Sequence, residues 1–207
     1  MQTLLTLEVR WFESGKIPEV IKHWFQNACP GELSSAVEER KDQYFYTPGC
    51  ECLNLKLRQG KLELKWRQTQ LGIDSFQDSY WQGRVERWLK WSYQDSIPEN
   101  LIQMLGTGDQ PIVKIGKKRR QRYYEEVECE LTQLKFDHHQ YWWSLGFEME
   151  ETQTRGKTHF KEAVSKMIKT CPETVFNLIH SHAYPSWLLE QVFASHLQDK
   201  SNFSSPS

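Results

Sequence analysis

Long apolar runs are absent from the 207 residues, and with them the sequence signature of a membrane-spanning helix. No basic-then-apolar leader opens the sequence, so the expectation is a cytoplasmic chain with no membrane partner. Charge of one sign is not in excess. The 26 Lys and Arg residues stand against 27 Asp and Glu, a formal net charge of −1. No global field therefore recruits nucleic acid or acidic lipid, and any electrostatic function must come from local clustering. Cysteines are few: Cys29, Cys50, Cys52, Cys129 and Cys171 make an odd count without the spacing of a disulfide framework. Cys50-x-Cys52 is not a CxxC redox or zinc knuckle, and the five read as reduced thiols. No repeat or low-complexity linker divides the chain. One domain is expected over residues 1–195, followed by a short polar tail over 196–207.

Aromatic residues, by contrast, are abundant at 13%, with nine Trp, and favour strands. The stretch "LNLKLRQGKLELKWR" (53–67) alternates strictly. Leu53, Leu55 and Leu57 interleave with Asn54, Lys56 and Arg58; beyond Gly60, Leu62, Leu64 and Trp66 interleave with Glu63, Lys65 and Arg67. Period two predicts a hairpin with one apolar and one charged face, turning near Gln59-Gly60. Similar strands are expected at 3–12, in "RKDQYFYTPG", at 79–93, in "QPIVKIGKKRRQRYYEE" and "EVECELTQLKF", and at 140–151. "LGIDSFQDS" reads as a connection. "GKIPEVIKHWFQNA" and "IPENLIQML", closed by Gly106, read as small helices. From Thr154 the pattern turns helical, in "HFKEAVSKMIKTC" and "TVFNLIHSHAYPSWLLEQVFASHL". About eight strands with few helices predict an α+β class dominated by an antiparallel sheet.

The charged faces sort by strand. Basic faces lie on 53–58 and 114–122, and an acidic pair on 148–150, whereas a merely solvated face mixes its signs. The opposite faces carry Leu, Trp, Phe and Met, large enough to be covered by helices outside the sheet. A sheet closed into a barrel would turn its charged faces into one lumen, where each charge acts in a focused field. Guanidinium groups there would bind phosphate oxygens bidentately, and carboxylates would suit a divalent cation.

The order of short motifs resembles the CYTH domains, also called triphosphate tunnel metalloenzymes, over residues 3–190. Their opening Glu-x-Glu-x-Lys is matched by Thr6-Leu7-Glu8-Val9-Arg10, and their Asp-Thr-Pro strand end by "YFYTP", with Tyr46 in the Asp place. Their Leu-Arg-x-Arg strand and following lysine look like "LKLR" (Lys56, Arg58) and "LELK" (Lys65). An alternating-glutamate strand corresponds to "GRVERW", where only Glu86 is kept. The Lys-x-Arg strand looks like Lys118-Arg119-Arg120, and the later aspartate falls near Thr132, with Glu130 close by. The closing Glu-x-Glu is Glu148-Met149-Glu150, and "SHAYPSWLL" is similar to the terminal helix that plugs or flanks the barrel.

The resemblance implies a closed or nearly closed antiparallel barrel of about eight strands with a polar, charged lumen, peripheral helices and a C-terminal helical segment. It implies a hydrolase that cleaves the terminal phosphate of a triphosphate-containing small molecule or polyphosphate with Mg²⁺ or Mn²⁺, as a monomer or homodimer. Arg10, Lys56, Arg58, Lys65, Lys118 and Arg120 would grip phosphate; Glu8, Glu86, Glu148 and Glu150 would hold metal; Glu8, Lys65, Glu148 and Glu150 would carry the chemistry. Lys56, Arg58, Lys118 and Arg120 should then converge on one cavity opposite Glu148 and Glu150. Thr6, Tyr46 and Thr132 stand where carboxylates are expected, which thins the metal site and keeps the basic cradle. A non-catalytic polyphosphate, nucleotide or partner binder is the alternative. Nucleic-acid binding through "KIGKKRRQRYY" is disfavoured, because one strand's two faces cannot both follow a backbone. His138-His139 and His180-x-His182 lack the spacing of a shared helix face and read as turn and helix-end residues, not zinc ligands.

Overall fold

The computed structural model describes residues 2–45, 49–76, 81–92, 112–136, 140–172 and 176–191. The alternating segments form nine strands: β1 Gln2–Ser14, β2 Glu32–Leu33, β3 Glu38–Phe45, β4 Leu53–Arg58, β5 Lys61–Phe76, β6 Trp81–Ser92, β7 Ile112–Tyr124, β8 Val127–Phe136 and β9 Tyr141–Glu150. Helix α1 (Glu19–Asn27) lies between β1 and β2, α2 (Lys157–Ile168) follows β9, and α3 occupies residues 184–191. The expected helix over 97–105, Tyr46, His138-His139 and the tail over 196–207 lie outside the described residues.

All strand pairings are antiparallel. The order β7-β3-β4-β5-β6-β1-β9-β8 returns to β7 through a β7–β8 pairing, which closes a barrel of eight strands; β2 adds a short ninth along β7. This is the antiparallel α+β sheet expected from alternation, closed into the barrel that the resemblance implies. The hairpin joining β4 to β5 turns at Gln59 (φ 50°) and Gly60 (φ 77°), the pair of left-handed residues that matches the twist of flanking strands. "LGIDSF" is not a connection: β5 continues to Phe76, with register shifts at Arg67/Thr69 and Gln70/Ile73 that let it bend while staying paired to β6.

The hydrophobic core lies mainly outside the barrel. Leu7, Val9 and Trp11 of β1 join Cys129, Leu131, Leu145, Phe147 and Met149 of β8 and β9 on the outer face. Ile21, Trp24 and Phe25 of α1 and Phe160, Val164, Met167 and Ile168 of α2 complete that cluster. Arg122 caps the end of α1 by donating to the carbonyl oxygens of Phe25 (2.6 Å) and Gln26 (2.7 Å). A second, smaller cluster fills one end of the lumen, where inward Phe12, Tyr44, Ile115 and Leu134 meet Tyr184, Trp187 and Leu188 of α3. Phe12 and Trp187 stack there at 4.3 Å. Among the described residues no helix is long and apolar enough to cross a membrane, and all five cysteines are free.

The C-terminal segment is not one helix. A 3₁₀ turn at Leu178–His180 and an isolated bridge between Ser181 and Trp11 precede α3. The break has a cause: beyond its own 3₁₀ bonds this backbone is tied to the barrel, His182 N–H donating to the Arg10 carbonyl (3.1 Å) and Arg84 donating to the Leu178 carbonyl (2.8 Å). α3 is thereby aimed into the lumen as a plug.

Candidate functional site

In the β4–β5 hairpin the usual burial rule is reversed. Asn54 and Lys56 are each 8% exposed, whereas Trp66 on the other face is 56% exposed. The charged face is the inner one, and the outer face of β4–β5 is only partly covered. Eight cations and four carboxylates line the resulting cavity of about 180 Å³: Arg10, Arg40, Lys56, Arg58, Lys65, Lys90, Lys117 and Arg119, with Glu8, Glu128, Glu130 and Glu148. They come from β1 and from β3 through β9, so only closure of the barrel brings them together.

The cations form two clusters, which Glu38 joins by pairing with both Arg40 and Arg119. In the first, Asp42 is fully buried and pairs with Arg40 (3.1 Å), Arg58 (3.5 Å) and Lys117 (3.3 Å). Glu63 supports Lys56 (2.9 Å) and Arg58 (3.1 Å) from the neighbouring strand. In the second, Arg10 donates through Nε to Glu8 (3.1 Å) and through Nη1 to Glu130 (2.8 Å) and Ser144 (3.3 Å). Gly146 makes room for that guanidinium, since a Cβ there would lie 2.6 and 2.7 Å from its two Nη atoms. Arg119 reaches the other Glu130 oxygen (2.8 Å). Lys65 Nζ bridges Glu8 Oε2 (3.0 Å) and Glu148 Oε2 (2.8 Å). Tyr184 of α3 forms the floor, with Lys117 Nζ 3.9 Å and Arg10 Cζ 5.1 Å from its ring centre.

This crowding moves proton affinities. Burial first, and then Arg58 beside it, lower Lys56 to about 7, with Glu63 opposing. Burial likewise lowers Lys117 to about 7, even against Asp42 and Glu130. Burial opposes the ionised form of Glu148 too, but Lys65 and Lys90 outweigh it and hold the carboxyl at about 2. Glu130 is held well below its usual range by Arg10 and Arg119 despite full burial. Glu86 and Glu128 are raised, chiefly by burial. Three donors of cavity-lining residues are buried without a hydrogen-bond partner: Arg58 Nε and Arg40 Nη1, whose neighbours Asp42 and Glu38 are ion-pair partners only, and the Tyr184 hydroxyl.

Of the residues singled out from sequence, Glu8, Arg10, Lys56, Arg58, Lys65 and Glu148 line the cavity. Lys118 and Arg120 do not. Lys118 has a 62% exposed side chain paired with Glu39, and Lys118 and Arg120 line a separate outer groove with Ile17 and Phe25. Their neighbours Lys117 and Arg119 face inward instead. A one-residue change of phase moves a whole strand's side chains to the other face, and four successive cations at 117–120 carry no phase information. Glu86 is buried but lines a smaller cavity beside α3, paired with Arg67 (2.8 Å). Glu150 is exposed at the end of β9 and does not line the cavity. Thr6 is buried with an unpartnered hydroxyl, and Thr132 donates to Glu130 (3.0 Å). Arg40 and Asp42 escaped the motif reading, although Arg40, Asp42 and Tyr44 share the period of Glu8 and Arg10.

The carboxylates as folded do not fit a divalent ion. Both oxygens of Glu8 accept from Arg10 and Lys65, and those of Glu86 from Arg67 and Trp88. Among the described residues no three His, Cys, Asp or Glu side chains are grouped to hold a metal.

No family model and no curated protein matches the chain. Solved structures do match in fold. A conserved hypothetical protein from Pyrococcus furiosus is 16% identical with a TM-score of 0.51, over 87% of this chain and 98% of that one. The PH1012 protein from Pyrococcus horikoshii is 16% identical with a TM-score of 0.50, over 83% and 99%. A chain of the Schizosaccharomyces pombe Mediator head module is 7% identical with a TM-score of 0.52, over 80% and 94%. At these identities the likeness is one of fold.

Proposed function

We propose that the barrel lumen binds a polyphosphate, with a triphosphate group gripped by Arg10, Lys56, Arg58, Lys65, Lys117 and Arg119. The observation that carries this reading is a surplus of buried positive charge. Eight cations face four carboxylates across the cavity. With Asp42, Glu63 and Glu38 compensating from the wall, eight cations still stand against seven carboxylates, and Lys56 and Lys117 are lowered to about 7. A buried charge without full compensation is costly, and a polyanion would supply what the wall lacks. Arg58 Nε and Arg40 Nη1, which lack a hydrogen-bond acceptor in the wall, are guanidinium donors that a phosphate oxygen would suit. The CYTH-like order of motifs supports the same ligand class. The fold by itself does not, since the same barrel is found in the Mediator head module.

Hydrolysis of the terminal phosphate is the second reading. It is favoured by Glu148 and Glu128, which face the cations across one cavity and could orient a water. The Mg²⁺ or Mn²⁺ that the resemblance implies does not fit these carboxylates, because Glu8, Glu86 and Glu148 are engaged by cations and Glu150 lies outside the cavity.

Calorimetric titration with inorganic triphosphate, pyrophosphate and phosphate tests the first reading. Affinity should fall in that order and weaken as salt is raised, and Lys56→Met should reduce it by roughly tenfold or more. Absence of binding by all three at low salt overturns it. Phosphate release lost in Glu148→Gln would support hydrolysis; release unchanged in that variant would overturn it.

A further inference from the structure

The pairing register sets four carboxylates side by side. Glu86 of β6 is opposite Glu8 of β1, Glu8 is opposite Glu148 of β9, and Glu148 is opposite Glu128 of β8. Like charges directly across a strand pair destabilise it, so a cation must lie among them. That cation is provided by the chain. Lys65 reaches over from β5 and places one ammonium between Glu8 and Glu148, 3.0 and 2.8 Å from an oxygen of each. Arg10 takes the remaining Glu8 oxygen at 3.1 Å, and Lys90 lies 3.8 Å from the remaining Glu148 oxygen.

From this arrangement we infer that the Lys65 ammonium is a resident cation, taking the place between Glu8 and Glu148 that a divalent ion would otherwise hold, so that the lumen binds polyphosphate without a metal. The inference rests on the polyphosphate reading above. Mg²⁺ needs carboxylate oxygens at about 2.0–2.1 Å in octahedral array. Here both Glu8 oxygens and Glu148 Oε2 would first have to give up an ammonium or guanidinium, Lys90 already stands 3.8 Å from Glu148 Oε1, and the displaced cations would remain beside the incoming ion. Nor do Thr6 and Thr132 add formal charge, and Thr132 already donates to Glu130. An ammonium has three hydrogens. Two of those on Lys65 go to Glu8 and Glu148, and Lys65 lines the cavity, which leaves the third for a phosphate oxygen. One side chain thus neutralises the carboxylate pair and meets the ligand.

The test has two arms, run on wild type, Lys65→Met, Lys65→Arg and Lys65→Met with Glu8→Gln, each checked for folding by its melting curve. In the first arm inorganic triphosphate is titrated in EDTA. Wild type and Lys65→Arg should bind, and Lys65→Met should lose roughly tenfold in affinity. In the second arm Mn²⁺ alone is followed by the loss of its free-ion paramagnetic resonance signal. Wild type should leave Mn²⁺ free, Lys65→Met should take it up, and Glu8→Gln should abolish that uptake. Wild-type binding that vanishes in EDTA and returns with Mn²⁺ overturns the inference, as does Mn²⁺ uptake equal in wild type and Lys65→Met. Failure of triphosphate to bind with or without Mn²⁺ overturns the polyphosphate reading instead, and the Mn²⁺ arm alone then decides whether Lys65 holds the cation position.

Discussion

Leu7 and Glu8 are neighbours in β1, both are buried, and opposite means keep them so. Leu7 and its outer-face companions lose water to the side chains of α1 and α2, a non-directional gain proportional to area. Glu8 loses water to Lys65 and Arg10, in bonds that fail if any partner is missing. One wall therefore separates an apolar core, which tolerates volume-conserving change, from a charged core, which does not tolerate loss of a partner. The outer core supplies stability; the inner one spends part of it on a cavity with surplus charge.

The largest expected effect tests the outer core. Trp11 is fully buried, meets Phe76, Trp81, Phe147 and Phe176 edge-on, and donates to the Gln82 carbonyl. Trp11→Ala should cost about 3–5 kcal/mol in denaturant unfolding. Glu130→Ala should cost about 3 kcal/mol because Arg10 and Arg119 lose their shared partner. The two variants should then part company: triphosphate should raise the melting temperature of Glu130→Ala by more than that of wild type, and that of Trp11→Ala by no more. Equal shifts in all three would break the comparison.

Gly146→Ala should cost about 1–3 kcal/mol and weaken triphosphate binding, since the new methyl meets the Arg10 guanidinium. The same substitution without loss of affinity would remove Arg10 from the ligand site.

Titration sharpens the comparison further. Lys56 and Lys117 are lowered to about 7 in the folded barrel, against about 10.4 in an unfolded chain. Between those values the unfolded chain holds protons that the folded one lacks, so unliganded stability should rise from about pH 7 to about pH 10. Triphosphate favours the ammonium forms. Its binding should take up protons above about pH 7, seen as a dependence of the calorimetric heat on buffer, and its affinity should fall toward higher pH. Glu148, held at about 2, has the same sign of slope at the acid end of the range. Its contribution is complete above about pH 4.3 and is lost as the pH falls from there toward 2.

The smallest expected effect is the most local. Lys118→Ala should change stability by no more than about 0.5 kcal/mol and leave triphosphate binding unchanged, because Lys118 makes only a surface pair with Glu39. Lys117→Met should weaken binding by roughly tenfold, since the lumen loses an inward cation held by Asp42. Reversal of the two would mean that β7 faces the other way.

Strict alternation in 53–67 fixed the strands, the turn at Gln59-Gly60 and the two faces of that hairpin, because a pleated strand has only two sides. The same period placed Glu8 with Arg10, Lys56 with Arg58, and Lys65 with Glu63. What local pattern could not supply was phase where both faces are charged, as in "KKRR", or partnership across strands far apart in sequence. Lys65 meets Glu148, and Arg10 meets Glu130, only because eight strands close into a ring. Which carboxylate is left to a ligand and which is already occupied is a property of that ring. A side chain's chemistry is written in its sequence position, but its counter-charge is chosen by whatever the closed barrel brings within about 3 Å of it.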